Sequence, residues 1–119
     1  MKKFGLIGEK LPHSYSPLIH SKFGDYEYEL CEVQEEELAA LLRKEEYGGF
    51  NVTIPYKKKV KEFCDDISDT ARRIGSINTI VRGSDGRLTG YNTDYDGFIY
   101  LLKAAGIEVR DMKCMVLGS

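Results

Sequence analysis

The chain has 119 residues, of which 17 are lysine or arginine and 19 are acidic, giving a formal net charge of −2. This length suffices for one domain with a hydrophobic core, and the lack of a basic excess argues against a nucleic-acid partner. No apolar run is long enough to span a membrane or to form a signal-peptide core, so we expect a cytoplasmic protein without a membrane partner.

The three cysteines argue against two kinds of stabilising site. Cys31, Cys64 and Cys114 are odd in number and contain no C-x-x-C pair. Disulfide frameworks need paired cysteines, and structural zinc sites need closely spaced ones. No cluster of histidine, cysteine and carboxylate residues indicates another metal site, so we expect the protein to bind no metal.

Hydrophobic periodicity predicts strands and helices that mostly alternate along the chain. The strand patterns alternate apolar and polar residues or are rich in β-branched ones, and the helix patterns place apolar residues three and four apart. In chain order the predicted elements are strand 3–8, helix 16–23, strand 26–33, helix 34–47, strand 49–54, helix 57–63, helix 65–74, strand 76–81, strand 88–91, helix 93–105 and strand 113–117.

This order of elements predicts an α/β fold, a three-layer α/β/α sandwich around a mostly parallel sheet of about six strands. In such sheets ligands bind beyond the carboxyl ends of the strands. Polar loops follow Gly8, Val52 and Tyr91, each at the end of a predicted strand. We therefore expect these loops to converge on one cleft.

Three helix starts carry capping signals. Ser16 precedes Pro17, and proline is favoured at the first position of a helix. Ser68 is a candidate cap for the helix that ends near residue 74. Thr93 is followed by Asp96 three residues later, the spacing of a capping box.

The segment around Pro55 joins a strand to a predicted helix and carries an unusual lysine. Pro55 cannot donate to a strand ladder, so the strand ends there and a helix can begin. Lys57 then lies near the helix N-terminus, where the partial positive charge disfavours a cation. A lowered pKa for Lys57 would suit a proton-transfer group. The alternative is that Lys57, Lys58 and Lys59 form an ordinary solvated helix face.

Four short motifs occur in one order along the chain and together resemble the substrate-binding half of shikimate dehydrogenase. They are Ser14-Tyr15-Ser16-Pro17, Asn51-Val52-Thr53-Ile54-Pro55-Tyr56-Lys57, Ile74-Gly75-Ser76-Ile77-Asn78-Thr79 and Gly90-Tyr91-Asn92-Thr93-Asp94-Tyr95-Asp96-Gly97. The resemblance implies reduction of 3-dehydroshikimate to shikimate with NADPH, on the route to aromatic amino acids. It also implies that residues 1–119 form the substrate-binding domain, and that a Rossmann domain binding most of the NADP(H) lies outside this sequence.

The resemblance implies a binding role for polar residues in each motif. Ser14 and Ser16 would hold the substrate carboxylate. Thr53, Asn78 and Asp94 would bind the ring hydroxyls. Each of these residues also has a simpler explanation: Ser16 or Asp94 as a helix-terminal residue, Asn78 as a partner for backbone groups, and Thr53 as an ordinary strand residue.

Lys57 and Asp94 match the catalytic lysine and aspartate of the family, and Asn51 would lie close to the substrate. The lysine would supply a proton to the reacting oxygen and stabilise its developing charge. The helix terminus would lower the pKa of Lys57 whereas Asp94 would raise it, and the sequence leaves the balance open. Gly118 and Ser119 would begin the phosphate-binding loop of the cofactor domain.

The remaining residues leave several points open. Neither histidine matches the proton-transfer position of the family, and we assign His13 to the loop and His20 to its helix. A quinate or dual quinate/shikimate dehydrogenase is one alternative function, and a non-catalytic module that binds a small hydroxy acid is another. A homodimer is also left open.

Overall fold

The computed structural model describes residues 2–118 and contains six strands and four α-helices within them. These elements are β1 (Lys3–Gly8), α1 (Ser16–His20), β2 (Glu27–Glu32), α2 (Leu38–Leu42), β3 (Tyr47–Val52), β4 (Asp66–Ile67), α3 (Asp69–Ile74), β5 (Thr79–Arg82), β6 (Leu88–Tyr91) and α4 (Thr93–Ala104). Two 3₁₀ helices, Glu35–Glu37 and Lys59–Phe63, lie before α2 and before β4.

The six strands form a single sheet in the order β2-β1-β3-β5-β6-β4. β1 pairs in parallel with both β2 and β3, and β4 pairs in parallel with β6. β5 runs antiparallel to both of its neighbours, β3 and β6. Five strands therefore point the same way, and the predicted α/β fold with a mostly parallel sheet is confirmed.

The hydrophobic core covers one face of this sheet. Alternate residues of the strands point to this face, among them Ile7, Phe50 and Ile80, which are at most 3% exposed. They pack with α2, with α3 and with the 3₁₀ helix Lys59–Phe63, which contribute Leu38, Leu41, Leu42, Val60 and Ala71. Burial of this apolar surface is the main driving force for folding of the domain.

The opposite face of the sheet carries polar and aromatic side chains and is covered by α1 on the β2 side. The His20 ring at the end of α1 stacks on Tyr28 of β2, with ring centroids 3.8 Å apart. Asn51 of β3 and Thr79 of β5 are directly paired, so their side chains share this face. Helices therefore lie on both faces, and the face with α1 holds the polar residues of interest.

The predicted helix 34–47 is shorter in the structure. It consists of the 3₁₀ helix Glu35–Glu37 and of α2, and Tyr47 belongs to β3. The guanidinium group of Arg82 donates hydrogen bonds to the carbonyl oxygens of Leu42 at 2.6 Å and of Tyr47 at 2.9 Å. The carbonyl group at the end of α2 is therefore hydrogen-bonded by Arg82, a residue 40 positions away in the sequence. A contact between residues so far apart cannot be predicted from the local sequence pattern.

The predicted helix 65–74 divides into β4 and α3. Ser68 is the N-cap of α3, as predicted, and its hydroxyl oxygen accepts a hydrogen bond from the Ala71 N–H at 3.2 Å. Gly75 ends α3 with a φ of 79°, a conformation that favours glycine. The two residues before the cap pair with β6 instead of extending the helix.

The predicted strand 113–117 is wrong, because the structure gives this segment no regular hydrogen-bonding pattern. Met115, Val116 and Leu117 are 83%, 86% and 86% exposed. A strand needs a neighbouring strand to pair with, and none of the strands among residues 2–118 lies beside this segment. Its apolar character alone therefore produced a misleading signal.

No helix among residues 2–118 combines the length and the apolar character that crossing a membrane requires. The same residues contain no group of three histidine, cysteine or carboxylate side chains that could hold a metal ion. The longest helix, α4, has 12 residues.

Candidate functional site

The ends of β1, β3 and β6 lie at the same edge of the sheet, with the start of the antiparallel strand β5 between β3 and β6. β1, β3 and β6 point the same way, so the loops after Gly8, Val52 and Tyr91 share this edge. Asn78 joins them because it immediately precedes the antiparallel strand β5. Its N–H donates to the Tyr91 carbonyl at 3.0 Å, and its own carbonyl accepts from the Val52 N–H at 2.8 Å. We call this region the polar edge.

Lys57 and Asp94 form an ion pair at the polar edge. Lys57 Nζ lies 2.8 Å from Asp94 Oδ2, and the two side chains are 34% and 58% exposed. Pairs with this exposure contribute little to stability, about 0–1 kcal/mol. Both charged groups remain accessible to a ligand that approaches from solvent.

The position of Lys57 differs from the prediction. The predicted helix 57–63 is only the 3₁₀ helix Lys59–Phe63, and Lys57 lies in the turn that precedes it. No α-helix begins at Lys57, so the predicted helix N-terminus beside this lysine is wrong. The Lys57 carbonyl accepts a hydrogen bond from the Ile77 N–H at 2.8 Å, which ties this turn to the segment before β5.

Asp94 is placed by the start of α4. The N-cap of α4 is Asn92 rather than the predicted Thr93, and its Oδ1 accepts from the Tyr95 N–H at 3.0 Å. Asn92 is only 6% exposed and its Nδ2 donates to the Ser76 carbonyl at 3.0 Å. This buried amide fixes the first turn of the helix and thereby the direction of Asp94.

Asn78 is held by the same helix start. Its Oδ1 accepts from the Thr93 N–H at 2.8 Å, and its Nδ2 lies 2.9 Å from Thr93 Oγ1. The Thr79 hydroxyl also donates to Asn78 Oδ1, at 3.1 Å. Asn78 therefore does satisfy backbone groups, as the simpler explanation requires, while one N–H of its amide is left for a ligand.

Asn51 lies at the centre of a second group of hydrogen bonds. Its Oδ1 is 2.8 Å from the Tyr28 hydroxyl and 3.1 Å from His20 Nε2, and its Nδ2 is 3.3 Å from Thr79 Oγ1. His20 Nδ1 in turn lies 2.7 Å from the Tyr26 hydroxyl. The Thr79 hydroxyl joins this group to Asn78, so the two asparagines belong to one network.

Ser14 and Ser16 lie in and just after the loop that follows β1, and both are half-buried. Ser16 is the first residue of α1 and its side chain is not the N-cap, since the N-cap is Tyr15. The Ser16 N–H donates to Ser14 Oγ at 3.3 Å. Burial raises the pKa of Tyr28 to about 12, and a hydrogen bond with the Ser16 side chain opposes that rise. Ser16 thus lies against Tyr28, next to the Asn51 network.

Thr53 lies just beyond β3 and is half-buried. Its N–H donates to the Ile7 carbonyl at 2.9 Å, which extends the pairing of β1 and β3. A Cβ on Gly8 would lie 3.0 Å from Thr53 Cγ2, so the glycine lets the loop after β1 approach Thr53 closely. Thr53 therefore lies at the polar edge, where it contacts the end of β1 at Ile7 and Gly8.

An apolar groove of about 370 Å³ lies beside the Asn51 network on the face that carries α1. Phe4, Tyr26, Tyr28 and Val81 contribute to its walls. The groove is also lined by His20, Asn51 and Thr79. Lys57 and Asp94 do not line it. The groove is thus a neighbour of the polar edge rather than part of it.

Comparison with known proteins identifies the family. The model of the shikimate dehydrogenase substrate binding domain matches residues 6–80. The chain belongs to this family. The shikimate dehydrogenase (NADP(+)) of Clostridium beijerinckii is 48% identical over the whole of this chain, which covers 47% of that protein. The corresponding protein of Caldicellulosiruptor bescii is 41% identical, and this chain covers 44% of it.

Solved structures of shikimate dehydrogenases share the fold of this domain. That of Peptoclostridium difficile superimposes with a TM-score of 0.83 at 40% identity, covering 92% of this chain and 43% of that one. That of Thermus thermophilus, in complex with shikimate, gives 0.82 at 35% identity and covers 92% and 44%. The domain spans less than half the length of these relatives.

The structure brings most of the predicted site residues of this domain together. Lys57 contacts Asp94 directly, and Asn51 and Asn78 share one network through Thr79. Ser16 lies near Tyr28, which donates to Asn51 in that network. The residues Ser14 and Thr53 lie in the adjoining loops. The functional roles of all these residues stay predictions. Gly118 has a φ of 81° in an irregular segment, and Ser119 lies outside the described residues, so the expectation of a phosphate loop there is untested.

Three residues that contact Asn51 had no predicted role. His20 lies on its helix as expected, at the end of α1, but the contact of its Nε2 with Asn51 was not predicted. Tyr28 and Thr79 were treated only as strand residues. The alternation of Tyr26 and Tyr28 could have indicated one polar and aromatic face of β2. Their proximity to Asn51 depends on the β2-β1-β3 strand order, which the sequence does not reveal.

Proposed function

We propose that this chain is the substrate-binding domain of an NADP-dependent shikimate dehydrogenase, and that its polar edge binds 3-dehydroshikimate and shikimate. The observation that carries the proposal is the accessible Lys57–Asp94 pair beside two asparagines with available N–H groups. Shikimate carries a carboxylate and three ring hydroxyls, which such a set of donors and one carboxylate can bind. The names of the relatives and the shikimate complex of the Thermus thermophilus protein support this substrate class.

In the proposed reaction Lys57 and Asp94 act on the substrate oxygen atoms. The ketone carbon gains a hydride while its oxygen gains a proton, and the Lys57 ammonium group is the proton donor. Its positive charge also stabilises negative charge on that oxygen as it develops. The Asp94 carboxylate holds the ammonium group through their 2.8 Å contact and accepts a hydrogen bond from a neighbouring ring hydroxyl. In the reverse direction the neutral lysine takes the proton back.

The remaining polar residues have binding roles in the proposal. Ser14 and Ser16 bind the carboxylate with their hydroxyl groups, at the loop after β1. Thr53 and Asn78 bind ring hydroxyls, and Asn51 lies next to them. Charge-assisted hydrogen bonds to a carboxylate are worth about 1.5–3 kcal/mol each, so the two serines would supply much of the affinity.

The proposal assigns only the substrate side of the reaction to this chain. Residues 2–118 contain no glycine-rich turn that leads from a strand into a helix, which is the structure that binds a dinucleotide phosphate. NADPH, the proposed hydride donor, would therefore be held by another domain. Exposed apolar residues on α4 and beyond it, including Phe98, Leu101 and Val116, are consistent with an interdomain surface. Cytoplasmic location and a homodimeric state stay predictions.

Titration of shikimate into the ¹⁵N-labelled chain, followed by NMR, tests the proposed function. We expect saturable shifts of the amide signals around residues 14–16, 51–53, 57, 78 and 94. The signals of the exposed turn 83–87 serve as an internal control and should not move. A second titration with quinate distinguishes a shikimate-specific domain from a dual one. No saturable shift with either compound would reject the proposal.

A further inference from the structure

The hydrogen bonds around Asn51 fix which of its amide atoms a ligand can reach. Asn51 Oδ1 can only accept, so both of its neighbours must be donors. The Tyr28 hydroxyl donates to it at 2.8 Å, and His20 Nε2 therefore carries a hydrogen and donates at 3.1 Å. Nδ1 of a neutral His20 is then free to accept from the Tyr26 hydroxyl at 2.7 Å.

The nitrogen of the Asn51 amide is turned toward Thr79, the first residue of β5. One N–H of Nδ2 points to Thr79 Oγ1, at 3.3 Å, and the second is left for a ligand. Because two protein donors already occupy Oδ1, a ligand meets only an N–H group at Asn51. Asn78 has the same arrangement: its Oδ1 accepts hydrogen bonds from the Thr79 hydroxyl and from the Thr93 N–H, so that only its amide N–H is available to a ligand.

We propose that His20 is a positioning residue which, together with Tyr28, holds Asn51 Oδ1 and so makes Asn51 a hydrogen-bond donor toward the ligand. The inference rests on the proposed function and deepens it. A ligand atom at Asn51 must then be an acceptor, such as a hydroxyl or carbonyl oxygen, and an ammonium group there meets another donor. Without the two donors, the Asn51 amide can turn over and present its oxygen instead.

Substitutions at His20 can separate this hydrogen bond from simple packing. His20→Phe keeps a planar ring for the stack on Tyr28 but has no N–H, whereas His20→Gln restores a donor without the ring. A lost neutral hydrogen bond weakens binding about three- to tenfold. We therefore expect His20→Phe to raise the Kd for shikimate by about that factor and His20→Gln to recover most of the loss. Tyr28→Phe removes the second donor and should weaken binding similarly.

A double-mutant cycle shows whether His20 acts through Asn51. Asn51→Ala should weaken shikimate binding by itself, and adding His20→Phe to it should have no further effect. Tyr100→Phe, which removes an exposed hydroxyl on α4, is the control and should bind as the unsubstituted chain does. The inference is overturned if His20→Phe binds within about twofold of the unsubstituted chain, or if its loss is undiminished in the Asn51→Ala background.

A ligand-free measurement distinguishes failure of this inference from failure of the proposed function. The Asn51 side-chain amide signals report its orientation in the ¹⁵N spectrum of the free chain. We expect His20→Phe and Tyr28→Phe to shift or broaden them, whereas Tyr100→Phe leaves them unchanged. If the unsubstituted chain binds no shikimate, the proposed function fails, and these signals still decide the role of His20. Unchanged signals in both variants reject it.

Discussion

Lys57 and Asp94 are 37 positions apart in the sequence, and two tertiary contacts bring them to 2.8 Å. The Lys57 backbone is tied to Ile77, and the buried Asn92 side chain fixes the start of the helix that carries Asp94. The motifs predicted both residues as partners. Of the two neighbours expected for Lys57, the carboxylate of Asp94 is present, and the α-helix N-terminus is not.

Ser14 and Ser16 provide a test of the carboxylate site at the scale of single residues. Replacing both by alanine removes two hydroxyl donors, and each charge-assisted bond is worth about 1.5–3 kcal/mol, so we expect the Kd for shikimate to rise at least about a hundredfold. Isothermal calorimetry on the chain measures this change. Ser84→Ala, in the exposed turn between β5 and β6, is the matched control. An unchanged affinity of the double variant would mean that the carboxylate docks elsewhere.

Glu29 gives a prediction for the pH dependence of stability. Hydrogen bonds from the Tyr47 hydroxyl, at 2.6 Å, and from Lys3 lower the pKa of Glu29 in the folded state. The unfolded chain then binds a proton more readily than the folded chain does. The contribution of Glu29 is fully present above its unfolded pKa and is lost as the pH falls through its lower, folded pKa.

We therefore expect Glu29→Gln to reduce the slope of the unfolding free energy against pH on the acid side, measured by urea unfolding. Glu27→Gln is the matched control, because Glu27 also faces Lys3 but only at 3.7 Å. If both variants keep the slope of the unsubstituted chain, the Tyr47–Glu29–Lys3 contacts do not persist in solution.

At the scale of elements, most strands were predicted well, and the short elements were not. β1, β2, β3 and β6 lie within two residues of the predicted bounds at each end, because short apolar or alternating segments bounded by glycine, proline or polar residues mark them. β5 begins three residues later than predicted, and the side chain of Asn78, just before it, accepts a hydrogen bond from the start of α4. β4 has only two residues and exists because β6 pairs with it, so its own sequence carries no signal.

The contact between β3 and β5 supplies a prediction about stability. A Cβ on Gly49 would lie 2.6 Å from the Ile80 carbonyl oxygen, which is backbone and cannot easily move. We expect Gly49→Ala to lower the free energy of unfolding by about 1–3 kcal/mol through overpacking. Urea unfolding of the chain, followed by circular dichroism, gives this value.

Gly97→Ala is the control for that substitution. Gly97 lies inside α4, and no atom is within 4 Å of the position of its Cβ. Alanine is favoured over glycine in a helix by about 0.5–1 kcal/mol, so this variant should be as stable as the unsubstituted chain or more so. Equal destabilisation by both substitutions would contradict the close approach of β3 and β5.

At the scale of the whole molecule, the direction of the strands explains why part of the site could be predicted. Alternating strands and helices favour parallel strands, and parallel strands end at one edge, so the convergence of the three loops followed from chain order. The Asn51 network could not be predicted in the same way. It joins α1, β2, β3 and β5, and its contacts depend on which strands are neighbours.

The molecule also exposes apolar surface that its own elements do not cover. Within residues 2–118, α4 has no buried residue, and Phe98 and Leu101 are 61% and 64% exposed. Met115, Val116 and Leu117, which follow the helix in the chain, are also exposed. The apolar pattern of 113–117 misled the prediction of a strand, because the sequence could not show whether a strand partner accompanies it.

The most direct test of the account is the effect of Lys57→Met on kcat in a full-length dehydrogenase that carries this domain. Methionine keeps most of the apolar stem but cannot transfer a proton. Because proton transfer and charge stabilisation grow in the transition state, we expect kcat to fall about 10²–10⁴-fold while KM changes far less. Lys58→Met, at the next position and exposed, should keep a near-normal rate. A near-normal kcat for Lys57→Met, or an equal loss in both variants, would contradict the account.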